Sequence, residues 1–142
     1  MANDLIAKSS ITVNASPEKV WEALTSPKMI KQYFYGVDTT TDWKVGSPIS
    51  YKGVWEGKPF EDKGKVLKNN PPHELVTTHW SPLAGKPDIP ENYQTVTYTV
   101  TPHNGHTDLT ITNDHNSDEA GKTHSEQNWN GMLKSLKELL EK

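Results

Sequence analysis

Histidines and carboxylates are the side chains of this chain that can move protons or hold a metal, since cysteine is absent. The absence of cysteine excludes thiolate nucleophiles, disulfides and iron–sulfur ligands. His103 and His106 flank Asn104-Gly105, and an H-x-x-H spacing can hold a metal ion. A zinc site needs three or four ligands and a supporting shell of hydrogen bonds. We therefore expect no functional metal at this pair.

The same stretch contains a strong turn signal, because Asn-Gly favours a two-residue β-hairpin turn. A turn at Asn104-Gly105 pairs His103 with His106 and sets the register of both strands. A slip of one residue would exchange the two faces, so the register is well specified. The predicted inner face carries Val96, Tyr98, Val100, Leu109, Ile111 and Asn113. Both histidines are predicted to lie outside, on the threonine-rich face.

His79 is a second candidate for chemistry, because it alternates with Leu75 and Thr77 and is expected to point into the same interior. A histidine there can anchor a ligand or act as a general base. The alternative is a core histidine whose ring is satisfied by tyrosine or threonine. No acidic partner for it is evident in the sequence. Tyr51 and Tyr98 are likewise either ligand contacts or packing residues.

Catalytic signatures are missing from the sequence. The acids are scattered, and there is no G-x-S-x-G, H-E-x-x-H or P-loop motif. We predict no catalytic residue and no cofactor, and the pattern favours a non-enzymatic protein without excluding an enzyme.

Charge and hydropathy argue against nucleic acid as a partner and against a membrane span. The formal net charge is -3, and all fifteen basic residues are lysine. Bidentate guanidinium contacts to phosphate are therefore impossible, and we expect no nucleic-acid binding. No apolar run approaches the ~20 residues of a membrane span. No secretory signal pattern begins the chain, so a cytoplasmic location is expected.

Sequence periodicity places these residues on elements. A short strand is predicted at 11–15, followed by two short helices that begin at Ser16-Pro17 and Ser26-Pro27. From about 37 to 114 the period is two, as in an antiparallel sheet with one polar face. The segment 81–92, rich in proline, is predicted to be a loop.

The C-terminal segment returns to a helical period. Thr123 and Glu126 form a capping-box pattern, which predicts a helix from about 124 to 141, roughly 27 Å long. Its apolar stripe consists of Trp129, Met132, Leu133, Leu136 and Leu140. Helices segregated from a run of antiparallel strands indicate an α+β fold.

Several motifs together resemble a known family. They are ITVNASPEKVWEALTSPKMIKQYF (11–34), DWKVG (42–46), GKVL (64–67) and the Pro71-Pro72 turn. The chain resembles the SRPBCC or START-like (birch-pollen-allergen-like) superfamily, and within it the activator of heat-shock-protein-90 ATPase homologue-like family. The likeness extends over nearly the whole chain, although none of the motifs is specific to a reaction.

The resemblance implies a single helix-grip domain over residues 1–142. In that fold, a curved antiparallel sheet of about six to seven strands, with two short helices after the first strand, wraps around a long C-terminal helix. The implied function is binding of a lipid-like, hydrophobic or aromatic small molecule between sheet and helix. The alternatives are a co-chaperone or protein-interaction module, with a chaperone as partner, and a cyclase- or dehydratase-like enzyme that uses His79.

The predicted ligand-binding residues combine the inner faces of the strands with the apolar stripe of the last helix. They are Tyr51, Trp55, His79, Tyr98, Ile111, Asn113, Trp129, Met132, Leu133 and Leu136. Relatives commonly carry tryptophan at the position of His79, so the sequence departs from the family pattern at this predicted ligand contact.

Overall fold

A computed structural model of the chain describes residues 5–34, 36–82, 85, 87–114, 116 and 118–141, and the side chain of Trp55 lies outside this description. The helices within these residues are α1 (Pro17–Thr25), α2 (Pro27–Tyr33) and α3 (Glu119–Leu140), with a 3-10 helix at Pro90–Asn92. The strands are β1 (Ala7–Val13), β2 (Asp38–Thr40), β3 (Pro48–Trp55), β4 (Lys58–Asn70), β5 (Glu74–His79), β6 (Gln94–His103) and β7 (His106–Asn113).

The described strands form one curved, antiparallel sheet in the order β1-β7-β6-β5-β4-β3-β2. All three helices pack against the sheet, so the predicted helix-grip fold is confirmed. The core lies between them, because alternate residues of each strand point toward the helices. Its largest fully buried side chains include Ile49, Leu75, Leu109, Ile111, Leu133 and Leu136.

The two short helices begin where the sequence predicts. Oγ of Ser16 accepts a hydrogen bond from the Lys19 amide at 3.2 Å, and Oγ of Ser26 accepts one from the Met29 amide at 3.4 Å. The following prolines occupy the first helical turn, where their missing N–H costs nothing. These caps place the end of α2 over the inner face of the sheet.

The hairpin register predicted from Asn104-Gly105 is confirmed. Both turn residues have positive φ, 50° and 85°, as a type I′ turn requires. His103 pairs with His106, and the pairs Tyr98–Ile111 and Val96–Asn113 follow along the inner face. β6 and β7 therefore present one predicted wall to the interior.

The predicted bounds of β1 and α3 are wrong. β1 runs over Ala7–Val13 instead of 11–15, because pairing with β7 extends it into a segment of low strand propensity. α3 begins at Glu119, and Asp118 is its N-cap, accepting a bond from the Gly121 amide at 2.7 Å. Buried Asn116, which donates to the carbonyls of Leu5 and Asn113, fixes this earlier start.

Side chains of α3 cover the free edge of β1. Nζ of Lys137 donates to the Thr12 carbonyl at 2.8 Å, and a carboxylate oxygen of Glu126 accepts from the Lys8 amide at 3.0 Å. Glu141 accepts from the amide of the residue after the strand, at 2.7 Å. An uncovered edge would expose a row of unpaired backbone groups, so this helix both packs the core and closes the sheet.

β4 and β5 approach each other unusually closely at Gly64. A Cβ added at Gly64 would overlap the carbonyl oxygen of Thr78, so only glycine fits there. The register between these strands shifts between Val66 and Lys68, as at a β-bulge. The close approach brings the N-terminal part of β4 beside the end of β5.

Candidate functional site

A cavity of about 20 Å³ lies between the sheet, the two short helices and α3. That volume accommodates about one water molecule. The lining comes from all three layers: Leu24, Ile30, Tyr33, Phe34, Trp43, Tyr51, Leu75, Tyr98, Trp129 and Met132. Six of these ten side chains are aromatic, so the cavity is bounded mainly by ring faces and edges.

The aromatic rings contact one another in a continuous series. Phe34 and Trp129 are stacked, with ring centroids 6.4 Å apart and planes 7° apart. The edge-to-face pairs Phe34–Tyr51 and Tyr98–Trp129 have centroid distances of 6.1 and 6.2 Å. Such pairs contribute stability beyond their buried area, so the wall is ordered by ring contacts as well as by burial.

Two buried tyrosines, Tyr33 and Tyr51, and the partly buried Tyr98 border the cavity. Burial, and then the neighbouring phenols, raise the pKa of Tyr33 and Tyr51 well above the ordinary value, and burial raises the pKa of Tyr98 in the same direction. The hydroxyl of Tyr33 donates to the Ala23 carbonyl at 2.7 Å. The hydroxyls of Tyr51 and Tyr98 make no hydrogen bond to another described residue. These two donors are available to a bound molecule.

A row of polar side chains crosses the inner face next to this cavity. Thr39 pairs with Tyr51, and Tyr51 pairs with Asp62, so the three share one face of β2, β3 and β4. Oδ2 of Asp62 lies 3.0 Å from Nε2 of His79 on β5. Among the described residues, Oδ1 of Asp62 and Oγ1 of Thr39 are buried and make no hydrogen bond.

The expectation that His79 lacks an acidic partner is therefore wrong. Asp62 is distant in sequence, and close strand approach brings it to His79. The ring of His79 also lies 6.1 Å, centroid to centroid, from that of Tyr51. The side chains of Asp62 and His79 are 12% and 27% exposed, so the pair sits at the margin of the interior rather than on the open surface.

Residues 14–141 match the family described as "Activator of Hsp90 ATPase homolog 1-like protein". The chain belongs to this family. The resemblance predicted from the opening motif and from the later turns is thus confirmed. No curated protein matches the chain.

Solved structures share the fold of this chain. A protein from Cytophaga hutchinsonii is 48% identical, with a TM-score of 0.87 over 99% of this chain and 97% of that one. The Aha1 dimer from Colwellia psychrerythraea is 24% identical, with a TM-score of 0.73 over 95% of each chain. CalU16 from Micromonospora echinospora is 18% identical, with a TM-score of 0.71 over 92% of this chain and 80% of that one. The last two likenesses show the fold alone.

The structure brings part of the predicted ligand-binding set together. Tyr51, Tyr98, Trp129 and Met132 line the cavity. The side chains buried in the core beneath it are Ile111, Leu133 and Leu136. Oδ1 of Asn113 accepts a hydrogen bond from Nε1 of Trp129 at 3.1 Å, so Asn113 orients a ring that lines the cavity. The predicted contact of Trp55 falls on a side chain outside the described residues.

Sequence reasoning missed Asp62 and the contributions of α2 and the β2–β3 connection. A usable signal for Asp62 was present, because the turn at Glu56-Gly57 has positive φ at both residues and pairs Tyr51 with Asp62. The glycine in that turn is a hairpin signal, although Glu-Gly is a weaker one than Asn104-Gly105. Trp43 offered no comparable signal, since its neighbours in space come from other elements.

The histidines at the hairpin tip stand apart from this site. The side chain of His103 is 60% exposed, and its Nδ1 lies 3.6 Å from Oδ2 of Asp108. Within the described part of the chain, no three histidine, aspartate or glutamate side chains are placed to hold a metal ion. No described helix is long and apolar enough to cross a membrane.

An open groove of about 600 Å³ lies at the β2–β4 end of the sheet, and the surface that lines it is mainly apolar although most of its residues have polar side chains. Oδ1 of Asp88 accepts a bond from the Tyr93 hydroxyl at 2.6 Å at its rim. Burial and this bond raise the pKa of Tyr93 to about 12. The groove does not enclose a volume, so the aromatic cavity remains the stronger candidate for an apolar ligand.

Proposed function

We propose that this protein binds a small hydrophobic or aromatic molecule in the aromatic cavity. The observation that carries the proposal is a cavity lined by six aromatic side chains, among which the hydroxyls of Tyr51 and Tyr98 make no hydrogen bond to another described residue. Apolar walls with a few polar groups are the usual composition of ligand sites. Burial of ligand surface would supply affinity at about 25 cal/mol per Å², and the phenols of Tyr51 and Tyr98 would orient the molecule.

Ligand entry requires side chains to move, since the cavity holds only about 20 Å³ in this conformation. Phe34 is the side chain placed to move. It is half-buried, it follows the last residue of α2, and it stacks on Trp129 across the cavity. Gly36, two residues later, has a φ of 70°, a conformation that glycine adopts without strain. Rotation of Phe34 away from Trp129 would enlarge the cavity without unfolding α3.

A chemical-shift titration with fatty acids, sterols and flavonoids tests this proposal. Resonances of Tyr98 and Trp129 should move with at least one ligand class, while the outer threonines of β6 stay unchanged. Native mass spectrometry of gently purified protein provides a second test through a retained small molecule. If every class leaves Tyr98 and Trp129 unperturbed, the proposal fails.

The two phenylalanines of the chain provide a matched pair of variants. Phe34 lines the cavity, whereas Phe60 packs against Gly53 near the β3–β4 turn. Phe34→Ala should change ligand affinity by about fivefold or more, since a ring contact contributes roughly 1 kcal/mol. Phe60→Ala should leave affinity within about twofold once folding is confirmed. Equal effects of both variants would argue against the aromatic cavity as the site.

Two other functions remain predictions. A co-chaperone role is supported by the family assignment, and co-purification with a heat-shock-protein-90 chaperone would test it. A cyclase- or dehydratase-like activity is supported by the His79–Asp62 pair, since a carboxylate can orient an imidazole for proton transfer. His79→Ala would abolish such turnover and spare the binding of purely apolar ligands.

A further inference from the structure

The aromatic cavity adjoins a buried carboxylate that has acceptor capacity left over. Asp62 is paired with Tyr51 across β3 and β4, and Tyr51 is itself a wall of the cavity. One oxygen of this carboxylate is engaged by His79, and the other is buried without a hydrogen bond to any described residue. A buried polar atom without a partner is destabilising, so a ligand that places a positive or donor group beside it gains affinity there.

The electrostatic environment at this end of the cavity favours positive charge. None of the described residues that line the cavity is basic, and ring faces carry the negative part of the aromatic quadrupole. The carboxylate of Asp62 contributes to the raised pKa of Tyr51, after burial and the two neighbouring phenols. Of these causes, only the negative charge of Asp62 would also attract a cation at the same place. The net charge of -3 acts in the same direction at long range.

We infer that the ligand of this cavity is an organic cation, an alkylated amine held by the rings of Tyr51, Tyr98 and Trp129 with its positive charge directed toward Asp62. This inference rests on the proposed function and specifies the chemical class of its ligand. Aromatic cages bind quaternary ammonium groups through the ring quadrupole, and a carboxylate beside the cage adds direct charge attraction. Nε2 of His79 lies 3.0 Å from one oxygen of the carboxylate, and the other oxygen is the one left for the ligand.

Choline and 3,3-dimethylbutan-1-ol test the inference directly. The two molecules share their shape and hydroxyl group and differ in charge, because carbon replaces the quaternary nitrogen. Binding is followed by isothermal titration calorimetry and by the indole N–H resonance of Trp129. Choline should bind at least about tenfold more tightly than the alcohol, the difference expected for a desolvated cation–aromatic contact with a nearby carboxylate. Equal affinity of the two probes would overturn the inference.

Asp62→Asn removes the charge and keeps the shape. It should weaken choline binding by about tenfold and leave the alcohol within about twofold. Unchanged choline affinity in a folded Asp62→Asn protein would also overturn the inference. If this variant does not fold, the comparison of the two probes in the unsubstituted protein decides alone.

The same measurements separate the two proposals. If the neutral alcohol or an apolar ligand shifts the Trp129 resonance while choline does not, the cation inference fails and the proposed ligand-binding function stands. If neither choline nor any neutral ligand shifts it, both fail.

Discussion

Nε1 of Trp129 donates a hydrogen bond to Oδ1 of Asn113 at 3.1 Å, and this bond ties the middle of α3 to the end of β7. The indole ring meets Tyr98 on one side and Phe34 on another. Trp129 is thereby held by the sheet through a polar contact and by the cavity wall through ring contacts. Asn113 does not line the cavity, but Trp129 does. A substitution at Asn113 should therefore alter the cavity through the position of the Trp129 ring.

Asn113→Ala is expected to lower the free energy of unfolding by about 1–3 kcal/mol, because it leaves a half-buried indole N–H without its acceptor. Chemical denaturation measures this change. The indole N–H resonance of Trp129 should shift as well. A variant with wild-type stability and an unmoved indole resonance would contradict the bond.

Replacement by alanine should change the free energy of unfolding in opposite directions at Gly64 and at Gly131. At Gly64 the new methyl group would overlap the Thr78 carbonyl, so β4 and β5 must separate. We expect a loss of about 2–4 kcal/mol, together with disruption of the Asp62–His79 pair. Gly131, on the exposed side of α3, has no atom within 4 Å of the added Cβ, and Gly131→Ala should stabilise the helix by up to about 1 kcal/mol.

Thermal and chemical unfolding of both glycine variants checks this pair. The resonance of the His79 ring should move in Gly64→Ala and stay in place in Gly131→Ala. Tolerance of alanine at Gly64 without loss of stability would show that the strands do not approach as closely as the structure indicates.

The edge of β1 should become accessible when its side-chain partners on α3 are removed. Glu126→Ala combined with Glu141→Ala exposes the amides of Lys8 and Asn14. Unpaired edge groups recruit strands of other molecules, so the average mass in solution should rise with concentration relative to the unsubstituted chain. Light scattering after gel filtration measures it, and replacement of exposed Glu138 on the same helix is the control. An unchanged mass in the double variant would refute edge protection by these side chains.

Stability should fall above about pH 10, the ordinary titration range of tyrosine. Tyr33, Tyr51 and Tyr98 have raised pKa values in the folded state, with burial as the main cause. Above the unfolded-state pKa, the unfolded chain releases protons that the folded chain retains. The contribution of each tyrosine is therefore complete below pH 10 and declines as the pH rises, by at most about 1.4 kcal/mol per pH unit.

Denaturation at a series of alkaline pH values tests this effect. Tyr98→Phe removes one titrating group whose hydroxyl has no partner among the described residues, so its stability should fall less steeply with pH than that of the unsubstituted chain. The lysines are the same in both proteins, so their effect on the pH dependence of stability cancels in the comparison. Parallel curves would exclude Tyr98 as a contributor.

Local patterns predicted most of the elements of this protein because their causes are local. Ser16-Pro17 and Ser26-Pro27 supply the cap and the first turn of each short helix within a few residues. Asn104-Gly105 determines the β6–β7 register because a two-residue turn leaves one way to pair the strands. The later start proposed for α3 was wrong because Asp118 competes with Thr123 as the cap, and contacts of the neighbouring Asn116 with Leu5 and Asn113 decide between them.

The sequence by itself determined the caps, the turns, the inward-facing residues of β6 and β7, and the family. Only the tertiary structure decided that Asp62 meets His79, because that contact depends on the β4–β5 approach permitted by Gly64. It also decided the size of the cavity. The lining side chains come from elements far apart in sequence, and close packing of rings, which no local pattern records, sets how much space they leave.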